Sequence, residues 1–255
     1  MTILNKITLV LASTISMASM AADFSFDRPG TGFGTGITPV GHLAWEQGLP
    51  SANYTETKID GAQAKTVTLT TDMLFRTGLT SNTELQLGFQ GAGWTETKYK
   101  GEKNHDSGLG DVSIGLKHAI DLDDDKLSMA ILARALIATG NENFSAEDDI
   151  YSIGSSLAYQ YNDLLNTGIT MNYAVQDGHW SITAVPMLGY KIAGKLSGFS
   201  EFVYRKAESQ DYEYGLGSGL IYALSDRAQL DASIGIDLNG DDRSYHAGLG
   251  VAFLF

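Results

Sequence analysis

The stretch "SYHAGLGVAFLF" at residues 244–255 decides the fold. Tyr245, Ala247, Leu249, Val251, Phe253 and Phe255 are apolar, while His246, Gly248, Gly250 and Ala252 between them are small or polar. Successive side chains of a strand point to opposite faces, so the first set makes one greasy face that runs to the last residue. The ends of soluble domains are usually polar and frayed. This face needs a cover along its whole length, either a second layer of protein or lipid.

The same period of two recurs upstream. Val112, Ile114, Leu116, His118 and Ile120 alternate with Asp111, Ser113, Gly115, Lys117 and Ala119, and Leu230, Ala232, Ile234, Ile236 and Leu238 alternate with Asp231, Ser233, Gly235 and Asp237. Segments 67–79, 84–95, 150–161, 167–176, 180–192, 195–206 and 212–224 follow the scheme, and 41–49 and 127–138 follow it more weakly, which predicts twelve strands. Tight links at 80–82, 121–125, 161–163, 193–194 and 225–227 alternate with mostly longer polar links, among them 50–62, 99–106 and 139–148. A soluble β-sandwich also alternates, but its strands usually run to about 5 or 6 residues. These are long enough to cross a bilayer at a tilt, and their second face is rich in Gly, Ser, Thr, Asn and Gln, as suits a crowded lumen. Tyr151, Tyr159, Tyr161, Trp180, Tyr190, Tyr204, Tyr212 and Tyr222 fall on the apolar parity near strand ends, where interfacial girdles lie. The expected fold is all-β: a transmembrane antiparallel up-and-down β-barrel of about twelve strands with both termini periplasmic. Closure leaves no sheet edge in hydrocarbon.

The first residues read as an export signal: Lys6 precedes an apolar core at 7–12, and Ser19 and Ala21 stand at cleavage spacing. The expected organisation is a signal peptide at 1–21, a tail or short lumen plug at 22–39 and the barrel at 40–255. With Phe255, Phe253 and Val251 the C-terminus resembles the signal by which bacterial outer-membrane proteins are recognised for assembly. That implies the barrel-assembly machinery as a partner and the cell outer membrane, with its lipid and lipopolysaccharide, as the location. A formal net charge of −13 excludes a phosphate-binding nucleic-acid partner, and the absence of cysteine excludes disulfides and thiolate metal sites.

Inward parity collects the charges. Arg134 orients the nearly all-apolar strand 127–138, because arginine facing lipid at the midplane costs about 2–4 kcal/mol. On this reading Asp111 lies close to Arg134 across the 121–125 turn, and Arg76 and Glu84 meet diagonally across the 80–82 turn. Glu46, Asp72, Lys117, Glu201, Arg205 and Asp231 also point inward. They form either a charged constriction in a channel or ion pairs filling a narrow barrel. His42 and His246 share the inward parity near opposite ends, and the five histidines have no ligand spacing. "GTGFGTG" at 30–36 lacks the flanking strand and helix of a phosphate loop, and "DLDDD" at 121–125 lacks the glycine and distal glutamate of a calcium loop. No cofactor is expected.

With "DRPGTGFGTGITPVGHLAWEQG" at 27–48 and "GLGDVSIGLKHAI" at 108–120, the chain resembles the transporter-like outer-membrane family named for the meta-pathway of phenol degradation. The resemblance rests on Asp27 to Gly30, the opening of the first strand from Pro39 to Glu46, and Gly108 to Asp111. It implies a barrel that passes small molecules, aromatic or hydrophobic compounds among them, and supplies no catalytic residue. The expected function is passive passage of a small-molecule solute without enzyme activity. The alternatives are a barrel-embedded hydrolase, for which His179 and Ser181 share a face, and a structural or surface-binding barrel with a blocked lumen.

Overall fold

The computed structural model describes residues 24–239 and 243–255, so the expected signal peptide and residues 240–242 of the "NGDD" link lie outside the described residues. The described residues form fifteen strands: β1 (Leu43–Ile59), β2 (Ala62–Thr70), β3 (Met73–Thr80), β4 (Thr83–Phe89), β5 (Ala92–Tyr99), β6 (Glu102–Leu109), β7 (Val112–Ile120), β8 (Leu127–Ile137), β9 (Ile150–Asn162), β10 (Leu165–Gln176), β11 (His179–Ala193), β12 (Leu196–Ala207), β13 (Tyr212–Ser225), β14 (Ala228–Asp237) and β15 (Arg243–Leu254). They make twelve staves of a closed antiparallel barrel, because β1 pairs with both β2 and β3, β4 and β5 continue one another in the next stave, and β6 and β7 in the one after. β15 closes on β1 from Ala44 opposite Leu254 to Glu56 opposite Arg243.

The breaks that split three staves align at one level. Gly48 N donates to Asp72 O, Thr71 N to Ala92 O, Gly110 N to Gly91 O and Gln90 N to Asp111 O, so the ladder continues through each break. Gly91 has φ +82°, and a Cβ there would collide with the Thr71 carbonyl, so only glycine fits. β1 skips a residue between Gly48 and Ser51, which places Pro50 where no ladder donor is needed.

Beyond these breaks the structure corrects the expected loops. Residues 50–59 and 102–109 are strand, and the expected long links shrink to two-residue turns at Asp60–Gly61 and Lys100–Gly101, all with positive φ. Asp177–Gly178 makes a third such turn. These are the primed hairpin turns whose twist matches that of paired strands. β1, β2, β5 and β6 therefore stand out from the barrel as an extended sheet at the end opposite the termini.

The burial is inverted relative to a soluble domain. The largest fully buried side chains are Arg76, Lys117, Gln86, Glu46, Glu84, Thr38 and Asp111, whereas Ile234 and Leu249 are 68% and 56% exposed on the outer wall. Such a wall is stable only in lipid. The aromatic pairs Trp45–Phe253, Tyr159–Tyr161, Tyr54–Tyr245 and Tyr204–Tyr212 have centroids 4.8–6.2 Å apart. By strand register each pair lies on the outward parity.

Phe255 exchanges two hydrogen bonds with Leu43, at 2.9 and 3.2 Å, and these are the last rungs of the closing seam. Deleting it removes both rungs and an exposed ring beside Phe253. The fraction that shifts mobility between unboiled and boiled samples on a denaturing gel is expected to fall further for this deletion than for Phe75→Ala, a wall position one strand from the seam. Equal losses would deny the terminal residue a special role.

Candidate functional site

The lumen is organised around two inward rows of the sheet. Arg76 lies opposite Gln86, Gln86 opposite Gly115, and Gly115 opposite Arg134, while Glu84 in the adjacent row faces Lys117. Arg76 and Glu84 meet diagonally, with Nε to Oε1 at 2.9 Å, and Arg76 Nη1 donates to Glu46 Oε1 at 2.8 Å. Lys117 Nζ is 3.1 Å from Glu84 Oε1. None of Arg76, Glu46, Glu84 and Lys117 is exposed. Buried charges persist only when each finds an opposite charge and hydrogen bonds.

The remaining partners come from the segment before β1. Asp27 accepts from Lys117 Nζ at 3.0 and 3.2 Å and from Gln86 Nε2 at 3.2 Å, and its own N–H donates to Glu46. Arg76 donates to the carbonyls of Ser25 and Gly36, and Thr38 N donates to Glu84 at 2.6 Å. Arg28 reaches to both sides of β1, where Nη1 is 2.7 Å from Asp72 at the β2–β3 break and Nη2 is 3.4 Å from Asp231 on β14. A Cβ at Gly250 would collide with the Arg28 guanidinium, so that glycine makes room for it. Thr31 N and Oγ1 donate to Glu201, the Phe33 carbonyl accepts from Thr170, and Thr35 Oγ1 bonds Ser128 at 2.8 Å. Residues 25–38 thus bond to β1, β3, β4, β7, β8, β10, β12 and β14, which surround the lumen.

The two larger of the cavities that border this segment differ in their lining. One of about 650 Å³ reaches the turns at the terminus end, past Phe26, Phe33, Ser156, Thr170, Met187 and Phe199. The other, of about 360 Å³, is bounded by Asp27, Arg28, Glu46, Ser51, Asp72 and Arg134.

Arg205 stands apart from this cluster, 3.2 Å from Asp237, whose other oxygen is 3.2 Å from His246. His42 is half-buried just before β1. His179 is 77% exposed beside Glu208, and no carboxylate joins it to Ser181 among the described residues.

The expected neighbourhood of Asp111 and Arg134 is corrected. Gly115 lies opposite Arg134 and Val112 opposite Ile137, so Asp111 belongs at the far end of β8. Arg134 donates to Gln86 at 3.3 Å. Asp111 instead accepts from Thr139 N, Gly140 N, Ser145 Oγ and Ala146 N at 2.7–2.9 Å, which ties down the link between β8 and β9. That link lays Phe144 against the paired glycines Gly93 and Gly108; a Cβ at Gly108 would stand 2.8 Å from the ring. Asn143 donates to Asp106, and this bond holds the Asp106 carboxyl below its ordinary range. Asp111→Ala removes the acceptor for all four donors. Limited proteolysis of the folded protein should then cut within 138–149 faster by roughly tenfold or more. An unchanged cutting rate would show that Phe144 alone holds the loop.

No curated protein matches the chain. Among solved structures, it resembles an outer membrane channel from Pseudomonas putida F1, with 13% identity, 85% of this chain and 96% of that one covered, and a TM-score of 0.65. It also resembles the translocator domain of the autotransporter NalP from Neisseria meningitidis, at 11% identity with 89% and 90% covered and a TM-score of 0.55. The KdgM porin follows at 11% identity, 80% and 98% covered and a TM-score of 0.50. These likenesses describe the fold, which is that of outer-membrane β-barrels. The family model described as "Putative MetA-pathway of phenol degradation" matches residues 26–255, from the segment inside the lumen to the last rung of the seam, and the chain belongs to that family.

Proposed function

We propose that the protein is an outer-membrane channel for small molecules whose lumen is narrowed by its own residues 24–38. The observation that carries this reading is the satisfaction of the inward charges by that segment: Asp27 and Arg28 engage Lys117, Asp72 and Asp231. A barrel filled this way has no wide aqueous path for large hydrophilic solutes. Its larger cavity offers Phe26, Phe33, Met187 and Phe199 beside Ser156 and Thr170, a lining suited to small, weakly polar or aromatic compounds. The termini are assigned to the periplasm, because the extended hairpins and the 138–149 link stand at the opposite end, as extracellular elements do. The assembly machinery reads the seam at Val251, Phe253 and Phe255 from that side.

Liposome swelling and planar-bilayer conductance test the reading. Phenol-sized solutes are expected to enter proteoliposomes faster than protein-free vesicles of the same lipid, while disaccharides are excluded. If neither solute enters and no conductance is found, the blocked structural barrel, which the same paired lumen favours, takes its place.

A further inference from the structure

The outer face of the extended sheet carries a line of cations that the lumen does not use. Cross-strand register puts Arg243, Glu56, Lys65, Lys98 and Lys103 in one row across β15, β1, β2, β5 and β6. The row faces outward, because Tyr54 and Tyr245 of the next row sit on the parity opposite Asn53 and His246, and His246 reaches Asp237 on the inner face. Lys65 is paired with Glu56 at 3.2 Å and Lys103 with Glu96 at 2.9 Å. Lys98 stands directly between Lys65 and Lys103 and makes no ion pair among the described residues. Like charges directly opposite one another destabilise a sheet unless an anion joins them. The excess is local, since the whole chain carries −13 and the nearby 138–149 link holds Glu142, Glu147, Asp148 and Asp149.

What lies beneath the row identifies the anion. Tyr245, Tyr54, Val67, Glu96 and His105 form the next row down, and Leu69 and Trp94 stand in the one below that, so Lys65 lies about two strand rises above the apolar wall and Lys98 and Lys103 about four. A molecule that meets both has phosphate at headgroup height and acyl chains below it. We propose that Lys65, Lys98 and Lys103 form a binding site for the phosphates of a phosphorylated glycolipid of the outer leaflet, the lipid A portion of lipopolysaccharide. This rests on the orientation assigned above, which places the extended sheet at the cell surface. Juxtamembrane cations attract anionic headgroups in this way within a Debye length.

The test compares the detergent-purified full barrel with the triple variant K65Q/K98Q/K103Q, measuring retained lipid A by native mass spectrometry and checking folding by heat-dependent gel mobility. The triple variant is expected to lose affinity by roughly a hundredfold while keeping its mobility shift and its conductance. Dephosphorylated lipid A should bind the parent no better than intact lipid A binds the variant. Equal retention by parent and variant overturns the site, as does equal binding of the dephosphorylated lipid. Phosphatidylglycerol binding the parent as tightly as lipid A overturns the glycolipid and leaves a general phosphate site. Should the variant fail to fold, the single variant K98Q, which breaks no ion pair, still has to lower retention. Whole cells treated with a membrane-impermeant amine reagent separate the two readings: lysines labelled only after permeabilisation would fault the orientation, while loss of lipid A binding in detergent reports on the site alone.

Discussion

Deleting residues 24–34 while keeping every strand is expected to raise single-channel conductance by roughly tenfold or more, since pore current follows the cross-section and the charge of the narrowest point. The deletion removes Asp27 from Lys117 and Arg28 from Asp72 and Asp231, and withdraws Phe33 from the wall at Gly154. Gly36 and Thr38 remain to bond Arg76 and Glu84, so β3 and β4 keep these supports. The exposed carboxylates of Asp72, Glu201 and Asp231 then outnumber the cations freed, and the opened pore should prefer cations under a salt gradient. A smaller version of the experiment is Arg28→Ala with Asp27→Ala, which cuts the two longest-reaching anchors and should give intermittent openings. A folded deletion variant with the parent's conductance would show that the segment lies outside the permeation path.

Much of the barrel was legible because lipid and lumen impose opposite chemistry on alternate residues. Every wall strand from 112–120 onward shows that contrast, and the nearly uniform 127–137 is oriented by Arg134 alone. The upper parts of β1 and β6 fall in the links expected at 50–62 and 99–106 for a physical reason. Above the belt, water bathes both faces, so "YTETK" and "EKNHD" show no apolar parity although they pair fully. The turn dipeptide Asp60–Gly61 was the available signal, since paired positive φ is the mark of a tight hairpin. Recognising it turns a long polar link into two strands.

The charged site divides in the same way. Arg76 and Glu84 could be matched from sequence because two or three turn residues fix their register. Asp111 and Arg134 could not, because the 121–126 link has no fixed turn geometry and an error of a few residues moves the partner several rungs. The segment at 24–38 has no periodicity to read. Its glycines and short polar side chains serve many different neighbours in turn, and only the assembled wall shows what each of them meets. The "GLGD" motif at 108–111 was visible as a pattern, but its meaning needed the fold: Gly108 seats Phe144, Gly110 lies against Gln90, and Asp111 ties the loop.

Arg76→Met should be the most damaging single substitution in the lumen. Its guanidinium donates to Glu84 through two nitrogens, to Glu46 and to two backbone carbonyls, and Asp27 lies 3.6 Å away. Methionine replaces the aliphatic stem but supplies no donor, so the variant takes from Glu46 its Arg76 partner and leaves Glu84 with Lys117, where water was excluded. Removing one partner of a buried charge group costs about 3–5 kcal/mol, far above an exposed pair. The temperature at which the folded band converts to the unfolded one on a gel should drop well below that of the parent. Arg76→Lys should fall between, because an ammonium keeps the charge but cannot fork between Glu84 and Glu46 at once. Arg134→Met is the contrast: among the described residues Arg134 hydrogen-bonds only Gln86, at 3.3 Å, and its loss should leave the conversion temperature within a few degrees of the parent. If Arg76→Met converts with the parent while Arg134→Met does not, the charge balance of the lumen turns on Arg134, and the network centred on Arg76 is a filling that water replaces at no cost.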